Sequence, residues 1–253
     1  MITIKTPEEI ELMREAGRRL ARILKVLSKE VRVGITTQAL DDISLKLMEG
    51  ENVRPAFLGY KPHGARYGYP ASICTSVNDG VVHGLPSAYV IKDGDLVKID
   101  IGAVYQGFYA DMAVTIPVGK VSKEARKLVK VTRESLEKAI KVAKPGNTLG
   151  DIGHTVEHFV KRHGFGVVRA LTGHGIGRAL HEDPYVFNYG KPGTGEELRP
   201  GMVIAIEPMI TLGKENVRQL KDDSFVTADG SLAAHFEHTV AITERGPIVL
   251  TKE

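Results

Sequence analysis

Near the N-terminus, apolar side chains recur at helical spacing. Met13, Leu20, Ile23, Leu24 and Leu27 form one stripe, and Arg14, Arg18, Arg19 and Lys25 lie mostly off it. Thr6-Pro7-Glu8-Glu9 precedes the stripe with a capping threonine, a proline suited to the first turn and a glutamate able to close a capping box. This predicts a helix from Pro7. Gly34-Ile35-Thr36-Thr37 opens a second helix through about Glu49, and Phe57–Pro70, rich in Gly, Tyr and Pro, reads as an irregular loop. The period then shortens. Ile73–Val77 reads as a strand before the turn Asn78-Asp79-Gly80, and Gly94–Thr115 (GDLVKIDIGAVYQGFYADMAVT) reads as a strand pair.

The same order returns downstream. Ser122 caps a long helix bearing Leu128, Val131, Leu136 and Ile140, and Gly146-Asn147-Thr148 echoes Gly34-Ile35-Thr36 before a helix through about His163. Strands are expected at Phe165–Arg169, Met202–Ile210 and Glu237–Thr243. Two helices followed by antiparallel strands, stated twice, predict a duplicated α+β unit rather than alternating βαβ units. No linker separates the repeats, so one domain over residues 1–253 is expected, with halves of about 1–118 and about 119–253.

Acidic residues interrupt the apolar strands at matching places. Asp100 follows Gly94 by six residues, and Glu207 follows Gly201 by the same interval; Asp111 opens DMAVT as Glu237 opens EHTVAIT. A lone strand aspartate can be a turn bond or a salt bridge, and Lys98 is at hand for Asp100. Four duplicated acids in one cavity need more than that. Like charges so packed stay ionised only beside cations, and two divalent ions would supply the matching charge. Histidines gather nearby in sequence: His174 within GHGIGR, His181 in His181-Glu182-Asp183-Pro184, and His83 in the corresponding loop of the first half. The glycines around His174 match neither a dinucleotide fingerprint nor a phosphate loop. Oxygen-rich donors with one imidazole suit Mn, Fe(II) or Co, with Zn also accommodated, and a pair of such ions activates water for hydrolysis.

Composition narrows the setting. Hydrophobic residues are 42% and charged residues 26%, as in ordinary globular proteins, and a net charge of +3 is too small to argue for nucleic acid. Cys74 stands alone, which suits a reducing compartment. MITIKTPEEI has no apolar signal region, and no stretch reaches the roughly 20 apolar residues of a membrane span, so a cytoplasmic protein binding neither DNA nor membrane is expected.

HGLP at His83, KIDIGAVYQGFYAD through Asp111, GHGIGRALHEDP from Gly173, PGMVIAIEPM around Glu207 and FEHT at Glu237 resemble type I methionine aminopeptidases. The likeness runs over essentially the whole chain. It implies the duplicated pita-bread fold, an antiparallel sheet with helices packed on one side and pseudo-twofold halves. It implies Asp100, Asp111, His174, Glu207 and Glu237 as ligands of two divalent ions, with Glu207 also serving as general base toward a water. His83 and His181 would contact substrate and stabilise the tetrahedral intermediate, and Asp100 would help hold the free α-amino group. Tyr60, Tyr69, Cys74 and Leu180, with Phe57 beside them, are the candidates for an apolar methionine pocket; plain loop packing is the competing account of the two tyrosines. The chain departs from the pattern where Lys221–Phe225 lacks a common tryptophan and where Leu180 replaces a common phenylalanine. The implied reaction removes initiator methionine from nascent proteins when the next residue is small. The enzyme would be a monomer, with ribosome docking through basic helix faces as a further expectation.

Rival readings are a proline-directed aminopeptidase of the same fold, a catalytically inactive pita-bread binding protein and a dimetal phosphoesterase. The first usually carries an additional N-terminal domain, for which 253 residues leave no room. The second would have lost ligands. The third lacks Lys and Arg clustered around the acids.

Overall fold

The computed structural model describes residues 1–61 and 67–253. The part of the expected Phe57–Pro70 loop at 62–66 lies outside the described residues. The first half contains α1 (Pro7–Glu30), α2 (Thr37–Gly50), β1 (Arg54–Pro55), β2 (Ile73–Val77), β3 (Gly80–Val82), β4 (Leu96–Tyr105) and β5 (Phe108–Pro117). The second contains α3 (Lys123–Val142), α4 (Leu149–Lys161), β6 (Gly166–Val167), β7 (Gly173–Gly175), β8 (Glu182–Val186), β9 (Val203–Ile206), β10 (Met209–Thr211), β11 (Val217–Gln219), β12 (Phe225–Thr227), β13 (Ala233–His235), β14 (Glu237–Thr243) and β15 (Gly246–Val249).

The helix starts follow the local chemistry. Thr6 and Glu9 close the expected capping box, Glu9 N–H to Thr6 Oγ1 and Thr6 N–H to Glu9 Oε2, a device worth about 1 kcal/mol. Thr36 and Ser122 accept from Ala39 N–H and Ala125 N–H in the same way. Two expectations are revised. The strand expected over Met202–Ile210 is two strands broken at Glu207-Pro208, because proline has no N–H to continue a ladder. The strand expected over Phe165–Arg169 shrinks to Gly166–Val167.

The main sheet runs β1-β4-β5-β14-β9-β7-β8, with β2 also on β4 and β15 also on β14. Its centre joins the halves, since β5 of the first pairs antiparallel with β14 of the second. Threonines stitch that seam. Thr239 Oγ1 accepts from Asp111 N–H (2.9 Å) and donates to Asp111 C=O (2.8 Å), and Thr115 does the same for His235 (2.8 and 2.7 Å). One apolar cluster packs Leu20, Leu24 and Leu27 of α1 against Ile99 and Ile101 of β4, and another packs Leu128, Val131 and Leu136 of α3 against Ile204, Val240 and Ile242. The duplicated α+β arrangement is thus present, with antiparallel strands under helices.

Helix α1 also touches the chain's end. A Cβ added to Gly17 would collide with the backbone carbonyl of Leu250, whose carbon would lie 2.7 Å away. Backbone cannot swing aside as a side chain can, so Gly17→Ala is expected to cost about 3 kcal/mol, at the upper end for overpacking. Urea unfolding at constant slope measures it.

Candidate metal centre

Strand register alone puts the acids on one face. Asp100 lies opposite Ala113, which lies opposite Glu237 on β14, while Asp111 lies opposite Gly102. Directly paired residues share a face, as do residues two apart, so Asp100, Asp111 and Glu237 point the same way. Continuing the His238–Ile206 pairing by one step sets Glu207 against Glu237, and continuing Gly175–Ile204 sets His174 beside Ala205. All five therefore fall on one face of a sheet that spans both halves. Gly102 makes the room: a Cβ there would stand 2.9 Å from Ala56 Cβ and Phe57 Cε1 and 3.4 Å from Asp111 Oδ1.

The side chains converge as the register requires. His174 Nε2 is 3.6 Å from Glu207 Oε1 and 3.9 Å from Glu237 Oε1. The carboxyls of Asp100 and Asp111 lie within hydrogen-bonding reach of each other. Donor atoms of Asp111, His174 and Glu237 lie within 4.8 Å of one another, and so do those of Glu207, His235 and Glu237. His174 Nδ1 contacts the Gly175 carbonyl at 2.9 Å. A carbonyl can only accept, so the ring proton sits on Nδ1 and the Nε2 lone pair faces the acids.

The electrostatics are those of a site built for cations. Burial pushes Asp100 and Glu207 up to about 7. It pushes Asp111 and Glu237 well above the usual carboxylate range, and the charges of the neighbouring acids push the same way. Asp100 Oδ1, Asp111 Oδ1 and Glu237 Oε1 are buried without any hydrogen-bond partner among the described residues. Buried oxygens orphaned together in one space fit divalent ions and little else. Lys98 does not provide the salt bridge it could have offered Asp100. Its Nζ is buried and donates to the carbonyls of Asn78 (2.7 Å) and Ala233 (3.1 Å).

His83 and His181 come close to this centre. The His181 ring stands edge-on to His174 with centroids 4.4 Å apart, and His83 packs edge-on against Phe225 at 5.8 Å. Phe225 belongs to the stretch where the expected tryptophan is missing and supplies an aromatic face there. Desolvation holds His83 down to about 4 and His181 down to about 3, although both keep exposed surface. Open surface with protein densely around it marks side chains lining a recess, and both rings are neutral at pH 7. His83 has φ +59°, left-handed backbone that costs a non-glycine residue on the order of 1 kcal/mol.

Tyr60, Tyr69, Cys74, Leu180 and Phe57 share one apolar cluster with Met13 and Ile176. Cys74 lies opposite Asp100 across the β2–β4 ladder, so this cluster borders the acids. The two tyrosines have polar duties as well. Tyr69 donates to the carbonyls of Ile73 and Gly84, which is the loop-packing role, and Tyr60 Oη is 2.6 Å from His181 Nδ1. With the phenol donating, Nδ1 accepts and the His181 proton sits on Nε2. Tyr60→Phe is therefore expected to lower kcat about 10-fold with little change in stability, because the imidazole loses the partner that orients it. Steady-state kinetics beside thermal melts measure it.

His235 was not among the residues singled out from sequence. It stands two before Glu237, the alternation spacing of one strand face, but Phe236 and the change from β13 to β14 obscure that pattern.

Fold and acidic centre together define a metallopeptidase. The chain belongs to metallopeptidase family M24, whose family model matches residues 11–244. It is similar to methionine aminopeptidase 1 of Bacillus subtilis, at 47% identity over 253 residues and 100% of both chains. It superposes on the crystal structure of a methionine aminopeptidase from Thermotoga maritima with TM-score 0.95 and 50% identity, covering 100% of both chains. A prolidase from Pyrococcus furiosus aligns with TM-score 0.76 and 26% identity over 99% of this chain and 65% of that one. The fold is the pita-bread fold of that family, and divalent metal ions are its cofactor. No helix among the described residues is long and apolar enough to cross a membrane.

Proposed function

We propose that this M24 enzyme removes N-terminal methionine from peptides and nascent chains when the next residue is small, using two divalent ions. Asp100, Asp111, His174, Glu207 and Glu237 would hold them. The single observation that carries the reading is the convergence of Asp100, Asp111, Glu207, Glu237 and His174 Nε2 on one face, with buried oxygens lacking any other partner among the described residues. When bound, such ions lower the pKa of a water to about 7 and polarise the scissile carbonyl.

The chain's own groups supply the rest. Glu207 takes the proton from the attacking water; with the ions bound its carboxylate is ionised and so free to accept it. His83 and His181, both neutral, offer ring N–H groups to the oxyanion that develops on the substrate carbonyl. Asp100 receives the free α-amino group, so a substrate without that amine loses its anchor. Tyr60, Tyr69, Cys74, Leu180 and Phe57 receive the methionine side chain on apolar walls. We place all of this in one catalytic domain over residues 1–253, acting as a monomer in the cytoplasm, on Mn, Fe(II), Co or Zn as cellular supply dictates.

Docking to ribosomal RNA draws on α3 more than α1. Arg14, Arg18 and Arg19 of α1 already pair with Glu11 and Glu15, whereas Lys123, Arg126 and Lys127 lead α3 without a paired acid among the described residues. Co-sedimentation with ribosomes should weaken steeply as salt rises. Salt-independent failure to co-sediment would remove docking from the reading.

Release of methionine from Met-Ala-Ser, assayed beside cleavage of an Xaa-Pro peptide, tests the main reading. Turnover of the first substrate alone, lost on chelation and restored by added Mn or Co, is expected. Xaa-Pro cleavage would favour the prolidase-like alternative, and activity indifferent to chelation would overturn the metal mechanism.

A further inference from the structure

Glu207 is asked to face an ion and to accept a proton, yet its carboxylate has little to hold it. It follows the last residue of β9 and precedes Pro208; its backbone carbonyl accepts from Asn188 Nδ2 at 2.9 Å, while its side chain makes no hydrogen bond among the described residues. Two imidazoles flank the side chain, one at each oxygen. His174 Nε2 is 3.6 Å from Oε1, and His235 Nε2 is 3.3 Å from Oε2. His174 has its own backbone acceptor and points its lone pair inward. His235 differs. It is 1% exposed, and neither ring nitrogen has a hydrogen-bond partner among the described residues.

A buried imidazole left unsatisfied on both nitrogens costs roughly 1–3 kcal/mol per group. The backbone of His235 is also fixed from both sides, because the Thr115 hydroxyl binds its N–H and its C=O. The ring is thus delivered to one place, with Glu207 Oε2 at 3.3 Å from Nε2, an oxygen of Glu237 within 4.8 Å and the charge of Asp100 also acting on it. Four acids and His174 already provide the donors for two ions. An imidazole set between carboxylates serves best as an N–H donor, and such contacts are commonly long before ligands bind and tighten afterwards.

We propose that His235 is a positioning residue of the metal centre: its Nε2–H donates to Glu207 Oε2, so that Oε1 is presented to the ion on the His174 side. The inference rests on the metal-centre reading above. A substitution that removes the donor lets the Glu207 carboxylate rotate, and ion affinity falls although every ligand remains.

Cobalt(II) is the probe. Wild type, His235→Leu and His235→Gln, all metal-free, are titrated with Co(II) by calorimetry and by the visible absorption of the bound ion. Leucine fills the space without a donor, and glutamine restores an N–H. The expected result is a 10–100-fold weaker binding of Co(II) by His235→Leu, roughly the cost of removing an outer hydrogen bond to a ligand. Its absorption bands should shift, and the metal-free melting temperature should be unchanged or higher. His235→Gln should return toward wild-type affinity and bands. Wild-type affinity and spectrum in His235→Leu would overturn the proposal, and so would equal impairment of His235→Gln, which would mean that the imidazole itself is needed. Failure of the wild-type chain to bind Co(II) would overturn the metal-centre reading and this inference with it.

Discussion

Asp111→Asn is expected to lower kcat/KM by on the order of 10^3-fold or more, because the centre loses a charged ligand that no neighbour replaces. The substitution keeps size and shape, removes the charge and exchanges one acceptor oxygen for an NH2 donor. Asp111 sits mid-strand on β5, its backbone N–H and C=O both taken by Thr239, so the ladder holds the residue in place whatever its side chain. Its carboxyl oxygen Oδ1 is buried and has no hydrogen-bond partner among the described residues, and the charges of Asp100 and Glu207 press on it. An amide relieves that pressure, so metal-free protein should melt no lower than wild type. His174→Ala should lose turnover to a similar extent by removing the imidazole from the Asp111–His174–Glu237 group. Kinetics with a Met-peptide, together with circular dichroism of the metal-free proteins, separate lost chemistry from lost fold. Full activity in either variant would mean that these are not the ligands.

Much of this arrangement was legible in the sequence, for identifiable reasons. Helix starts at Pro7, Thr37 and Lys123 were readable because a cap is a local device whose residues all sit within four positions. The acids were readable because a charge inside an apolar strand is a local contradiction that only a distant partner resolves. Their spacing from Gly94 and Gly201 announced the duplication. What stayed hidden depended on partners far along the chain. Tyr60 read as pocket lining, and its bond to His181 crosses 121 residues. Lys98 looked available to Asp100, yet its ammonium is drawn to carbonyls at Asn78 and Ala233, the second 135 residues away. His235 was masked because the chain changes strand at Phe236, which hides an alternation otherwise plain. The break at Pro208 is a local signal set inside an otherwise apolar run; proline there ends β9 and leaves Glu207 free of the ladder.

Removing the ions should make the protein less stable as pH rises from about 6.5 to about 8, the reverse of what ordinary surface carboxylates do. Asp100 and Glu207 are held up to about 7, and Asp111 and Glu237 higher still, chiefly by burial. In the unfolded chain all four ionise near pH 4. A carboxyl with a raised folded pKa contributes stability that is full below the unfolded value and lost as pH climbs through the folded one. Two other sets of groups oppose this, in different windows. His83, His181 and His235 are depressed to about 4, 3 and 4, so their effect is a gain in stability with rising pH that ends near 6.5, where the unfolded imidazoles are neutral too. Lys98, lowered to about 7, adds a gain above that pH, where Asp100 and Glu207 have largely ionised and Asp111 and Glu237 still oppose it, one group against two. The acids therefore dominate from about pH 6.5 to about 8, and chelated protein should lose on the order of several kcal/mol across acidic to mildly basic pH. Divalent ions reverse the slope, since they bind the folded state alone, displace the protons and leave the carboxylates ionised in both states. Melts in chelator and in excess Mn across this range, with calorimetry in buffers of different ionisation heat to count the protons released, measure both slopes. Chelated protein that is as stable at pH 8 as at pH 6.5, with no protons released when Mn is added, would mean that the four acids do not share one desolvated space.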